Sequence, residues 1–234
     1  MVNKFLGVIA LILLFFLIYA LVINTNKLLP ISKMKFHTVK SNNLADIISN
    51  NYYFSMWYNI QGIKNSSPNY SLIKWIKHGL DNVPCSDSYD NRSKIVINLN
   101  HNLNQIIVKI YSSSHNPTKI YIHDVPLNGW NNIILSVNHN IVDVYINGEL
   151  RKTQLSQQLG EHLTKGSKTL CVGNNDLHGY IGNIIFGEDS ISTEEAFDIY
   201  KIGLGQNPIK SLFDKYRIKL AILEKSNELN SLEL

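Results

Sequence analysis

Residues 129–148, GWNNIILSVNHNIVDVYING, decide the fold. Asn132–Asn138 and Asn140–Ile146 read as two strands. In the second, Val142, Val144 and Ile146 face one side while Asp143 and Tyr145 face the other, the period of two that marks a half-buried strand. Asn147-Gly148 then turns the chain as a type I′ hairpin, because both central positions of that turn need positive φ.

Working outward, the same pattern continues toward the C-terminus. A polar loop, Ser156–Lys168, leads to a strand Thr169-Leu170-Cys171-Val172 that stops at Gly173, and Gly179-Tyr180-Ile181-Gly182 is the next strand. Ser192 is set to cap a short helix, with Glu195 three residues on as the acid of a capping box. Phe197 and Tyr200 are expected to face inward, and Gly203 to end the helix. Toward the N-terminus, strands are expected at Tyr52–Ile60, Ser71–Lys77, Lys94–Leu99, Gln105–Tyr111 and Lys119–His123, broken by Asn, Gly and Pro. That spacing indicates an all-β sandwich and no alternating βα pattern. Ser41–Asn50 has a local helical spacing, and Pro208–Leu234 fits either a helix face or, at Tyr216–Leu220, a strand.

Composition narrows the function. The chain has 234 residues and a formal net charge of +4, with a pI near 8.9. Its lysines are scattered and form no basic block of the kind that tracks a phosphate backbone, so nucleic acid is not an expected partner. Asn is over-used and Ala scarce, which an AT-rich coding genome explains better than a functional asparagine array. Phe5–Ile23 is an uncharged run of 19 residues, which as a helix at about 1.5 Å per residue nearly matches a hydrocarbon core of ~30 Å. It is longer than the apolar core of a signal peptide and offers no small-x-small cleavage site, so an uncleaved anchor is expected. The layout that follows is an anchor over 1–23, a stalk over 24–43, a sandwich over 44–205 and an extension over 206–234.

The combination of motifs resembles the concanavalin A-like lectin/glucanase superfamily, in particular its laminin-G/pentraxin-like jelly-roll domains. The resemblance rests on Gly129-Trp130-Asn131-Asn132-Ile133, on Asp143-Val144-Tyr145-Ile146-Asn147-Gly148, on Leu170-Cys171-Val172-Gly173, and on Gly179–Gly182 followed by Ile191-Ser192-Thr193-Glu194-Glu195. Phe54-Ser55-Met56-Trp57 is similar to the family's first core strand. The resemblance implies an antiparallel jelly-roll β-sandwich with a short C-terminal helix, and the apolar run Phe5–Ile23 adds one N-terminal transmembrane helix ahead of it. Gly182 stands where the family usually has Asp, and Ile185 where Arg is common.

Candidate site residues come from loops and exposed aromatics. Glucanases of this superfamily need two carboxylates on one strand face, about 5–9 Å apart. No such strand exists here, so the chain is not expected to be an enzyme; a structure with Asp143, Glu149, Glu188 and Glu194 turned away from the concave sheet would end the alternative of a glycoside hydrolase-like enzyme. Calcium, common among relatives, would take Asp87 and Asp90 in the long loop Asp81–Arg92, or Asn174, Asn175 and Asp176; solvated turn residues forming Asx-turns are the competing account. The histidines show no metal-ligand spacing, so no metal is expected at them. Trp57 and Trp130 are assigned to the core, leaving Trp75 as the tryptophan for sugar stacking. Asn65, Asn69 and Asn91 begin glycosylation sequons, and Cys85 with Cys171 form an even pair, either a disulfide or two separate thiols. The expected function is a non-catalytic, single-pass membrane-anchored module that binds a glycan or protein, with a virion membrane as one setting. The side of the membrane stays open, and a purely architectural protein is the other alternative.

Overall fold

The structure, a computed structural model, describes residues 27–40, 51–64, 67, 69–77, 85, 93–100, 102, 104–111, 117–156, 168–204, 219–224 and 227–233. The chain divides into two compact units, one of them Asn26–Lys201 and the other containing the chain end. The first is an antiparallel sandwich. Its strands are β1 (Lys27–Leu29), β2 (Ser32–Lys33), β3 (His37–Lys40), β4 (Asn51–Ile63), β5 (Tyr70–Lys77), β6 (Ser93–Asn100), β7 (Gln105–Ile110), β8 (Thr118–Ile122), β9 (Asn131–Asn138), β10 (Ile141–Ile146), β11 (Glu149–Leu155), β12 (Lys168–Val172) and β13 (Leu177–Gly187), followed by one helix, α1 (Thr193–Ile202).

One sheet runs β1-β13-β4-β9-β10-β11, with β2 also paired to β13, and the other runs β3-β12-β5-β6-β7-β8. Alternation selects the faces. Tyr52, Phe54, Met56 and Tyr58 of β4, Ile133, Leu135 and Val137 of β9, and Val142, Val144 and Ile146 of β10 point between the sheets, where they meet Ile73 and Trp75 of β5 and Ile95, Ile97 and Leu99 of β6. Burying a large apolar side chain contributes ~1.5–3 kcal/mol each, so this shared interior holds the two sheets together.

The Asn147-Gly148 turn takes the expected geometry, with φ of 53° and 80°. Asn147 does more than turn the chain: its Oδ1 accepts from the Asn132 amide at 2.8 Å, and its Nδ2 donates to Asn131 Oδ1 at 3.0 Å. Asn132 is fully buried and donates to Ser55 Oγ and the Met56 carbonyl. These asparagines satisfy buried polar groups at the strand ends, whatever set the overall Asn content.

The capping box is formed. Ser192 N donates to Glu195 Oε2 at 2.7 Å, and Glu195 N donates to Ser192 Oγ at 3.2 Å. Gly203, at φ 69°, closes the helix. The backbone N–H of Ser192, and then its hydroxyl, hold the Glu195 carboxyl below its ordinary range. Because this pKa is lowered on folding, the contribution is complete above the ordinary carboxylate pKa and is lost as pH falls through the lowered value. Ser192→Ala is expected to cost about 1 kcal/mol at neutral pH, and to shrink the acid-side loss of thermal stability followed by circular dichroism.

Several expectations need correction. The stretch expected as a stalk builds β1, β2 and β3, which join both sheets by pairing with β13 and β12. Phe197 does not face inward: it is 43% exposed, while Ala196 is the buried helix residue and Tyr200 stacks on Trp57. The helix approaches the hairpin closely at Gly148, where an added Cβ would lie 3.0 Å from Tyr200 Cβ and 3.1 Å from both the Cα and a ring carbon of Phe197, so the Phe197 ring lies against the turn and not in the core. Among the described residues no helix is long and apolar enough to cross a membrane; Phe5–Ile23 itself lies outside them, as does Ser41–Asn50. The single-pass anchor, and the membrane partner, single-pass localisation and virion-membrane setting that rest on it, therefore find no support among the described residues. In the other unit, β14 (Lys219–Glu224) and β15 (Asn227–Glu233) form an antiparallel hairpin, so the end of the chain is strand and not helix in these segments.

Candidate functional site

The loop Gly173–Asp176, a sequence candidate, is held from several sides. Asn174 is buried, its Oδ1 accepts from Asp176 N at 2.8 Å, and its Nδ2 reaches the Ser71 carbonyl at 3.4 Å. Asn175 Oδ1 accepts from Phe36 N, and its carbonyl accepts from Lys64 Nζ. The side-chain oxygens of Asn174 and Asn175 are thus spent on an Asx-turn and on docking the segment that joins β2 to β3. Asp87 and Asp90 lie outside the described residues. Among the described residues no three His, Cys, Asp or Glu side chains converge to hold a metal ion.

Trp75 is not available for stacking on a ligand. It is 2% exposed on the inward face of β5, edge-on to Tyr52 and to Phe186. Burial raises the Tyr52 phenol well above its ordinary pKa. Of the sequons, Asn65 and Asn91 lie outside the described residues; Asn69 is exposed, while Ser71, the third residue of its sequon, is buried in β5. Cys85 and Cys171 are joined as a disulfide across 86 residues. Cys171 lies beside Lys74 and Thr38, and Thr38 Oγ1 lies 3.2 Å from the Cys85 sulfur.

The carboxylates do not assemble. Asp143 sits on the outward face of β10, where Thr153 Oγ1 donates to it at 2.6 Å. Glu149 begins β11, Glu188 follows β13 and Glu194 lies in the first turn of α1, all exposed. The described residues present no catalytic constellation: no two of these acids flank a common cleft.

A different grouping stands out on the outer face of the larger sheet. Helix α1 covers one part of that face, packing Ala196 and Ile199 on Ile134, Tyr145 and Tyr53. Beyond it, Trp130 lies just ahead of β9, half-buried, with its ring 6.2 Å from that of Tyr180 at 37°. Tyr180 is 38% exposed. In register it is flanked by Asn59 of β4 on one side and Lys33 of β2 on the other. Trp130 is therefore not the core residue expected from its strand position. Counting back from inward Ile133 puts Trp130 on the opposite parity, and that signal was available. Its meeting with Tyr180 was not, because it depends on β13 pairing with β4.

These features define an antiparallel two-sheet jelly-roll. No family model and no curated protein matches the chain. Solved structures do. The chain is similar to the receptor-binding domain of botulinum neurotoxin C/D mosaic serotype (16% identity, TM-score 0.57, 74% of this chain and 43% of that one). It is similar also to the botulinum neurotoxin serotype D ligand-binding domain in complex with N-acetylneuraminic acid (19% identity, TM-score 0.55, 74% and 42%) and to the serotype G binding domain (16%, 0.52, 74% and 42%). The chain thus spans less than half the length of these structures, and at such identity the likeness is one of fold. The assignment to laminin-G/pentraxin-like domains behind an anchor is corrected to this likeness.

Proposed function

We propose that the domain is a non-catalytic recognition module that binds a glycan on the Trp130–Tyr180 surface. The observation that carries this reading is the pair itself: two large aromatic rings side by side on an open sheet face, rimmed by Asn59 and Lys33. Exposed rings of this kind offer a sugar's C–H face an apolar platform, and the neighbouring amide and ammonium supply hydrogen bonds that orient it. Two further features support it. The fold is similar to part of a toxin domain described as receptor-binding and to part of a toxin ligand-binding domain solved with N-acetylneuraminic acid. The Cys85–Cys171 disulfide suits a protein that works in an oxidising compartment, where such ligands are met.

Glycan-array binding of the full chain, beginning with sialylated and matched neutral glycans, tests the reading. Trp130→Ala and Tyr180→Ala are each expected to weaken the best ligand at least about ten-fold, the effect typical of an aromatic anchor. Unchanged binding in both variants would overturn it. A calcium chelator is expected to leave binding unchanged, because the side-chain oxygens of Asn174 and Asn175 are already engaged.

A further inference from the structure

The outer face of the smaller sheet carries a row of side chains in direct register: Cys171, Lys74, Val96, Lys109 and Lys119. Exposure rises along it. Cys171, Lys74 and Val96 are buried, Lys109 is half-buried, and Lys119 on the terminal strand β8 is exposed. Lys109 and Lys119 are thus cross-strand partners, which brings their Cβ atoms within about 4.5–5.5 Å, and like charges placed so are destabilising. Among the described residues no carboxylate pairs with either. One residue pair along the strands, Tyr121 stands opposite Ile107 on the same face and is 45% exposed.

Lysines on edge strands discourage sheet-to-sheet association, which is reason enough for Lys119. It does not account for Lys109, one strand in, where burial and the Lys119 ammonium both lower its pKa. A repelling pair that is partly desolvated and has no counter-ion among the described residues is complementary to an oxyanion seated between the two ammonium groups, where each donates a charge-assisted hydrogen bond.

We propose that Lys109 and Lys119 form an anion subsite that takes a sulfate group of a sulfated polysaccharide, with Tyr121 packing against the adjoining sugar. A sugar chain suits the site better than a free ion, because the aromatic lies beside the charges along the strand, at the spacing of a neighbouring unit and not on the anion itself. This surface is on the opposite sheet from Trp130 and Tyr180, so the two sites stand or fall separately.

The test uses the full chain, a short heparin-derived sulfated oligosaccharide and its desulfated counterpart. Calorimetric titration is expected to show binding of the sulfated probe only. Lys109→Gln and Lys119→Gln should each weaken it about ten-fold, the loss of one hydrogen bond to a charged group, while Lys109→Arg retains it. Lys152→Gln on β11 is the charge control: Lys152 is exposed and stands opposite Val144. In NMR titrations the lowered Lys109 pKa should move back toward the ordinary value when the sulfated probe is present. Equal binding of the desulfated probe, or an equal loss in Lys152→Gln, would refute the subsite in favour of apolar stacking or diffuse net charge respectively.

Discussion

Gly182→Asp, which would install the residue that the laminin-G resemblance leads one to expect, should destabilise the sandwich by roughly 3 kcal/mol or more and lower its melting temperature accordingly. Gly182 has φ 155°, a conformation that side chains rarely adopt, and it stands at the bulge where β13 shifts register against β4. A Cβ there would overlap the Pro30 carbonyl oxygen and lie 2.5 Å from Ile31 Cα. The obstacle is backbone on both counts, so no rotamer change relieves it. The substitution would therefore displace the segment that carries β1 and β2 onto the sheet edge. Gly62→Ala is the matched control within the same strand pair: its added methyl would meet His178 Cβ at an ordinary 3.8 Å. It should change stability by less than about 0.5–1 kcal/mol, with the sign set by lost chain freedom. Denaturant titrations of both variants decide the matter; an unperturbed midpoint in Gly182→Asp would mean that Pro30 and Ile31 do not pack there.

Removing the disulfide should have an effect of similar size by a different route. Cys85 and Cys171 are separated by 86 residues, and closing a loop of that length restricts the unfolded chain by about 4–5 kcal/mol on the chain-entropy account, with ~2–5 kcal/mol the usual cost of losing a native bridge. Reduction, or Cys85→Ala with Cys171→Ala, should therefore lower the melting temperature by roughly 10 °C for a domain of this size. Since Cys171 stands at the head of the row that leads to Lys109, the double variant also reports whether the bridge shapes that face. Sulfated-probe binding measured well below the new melting temperature should persist, because the lysines are carried by β7 and β8 and not by the loop that contains Cys85.

Much of the sandwich was legible because it is local. The aromatic, β-prone run of β4, the period-two alternation of β10, the Asn-Gly turn and the Ser192–Glu195 box involve residues a few positions apart, and each formed as the local pattern implied. The failures share a cause too. β1 has three residues and β2 two, too few for any periodicity to declare itself, and they exist as strands only because β13 offers them an edge. Trp57 is buried as expected, at 5% exposed, but by a contact that strand spacing does not carry: it lies on the outward face of β4, where Tyr200 of the helix stacks over it. Asn174 and Asn175 had the composition of a ligand-binding loop, but their oxygens are consumed by Asp176 and Phe36, and the Phe36 contact crosses 139 positions of sequence.

Sequence alone determined that this protein is an antiparallel β-sandwich closed by a capped helix, because strand alternation, turn chemistry and capping act between near neighbours and require no knowledge of the rest of the chain. Tertiary structure alone decided which surfaces are left to bind. Whether a tryptophan is core or platform, whether two lysines oppose each other, and which strand accepts the N-terminal segment all depend on pairings between distant residues; such contacts cost chain entropy to form and are fixed only when the whole core packs.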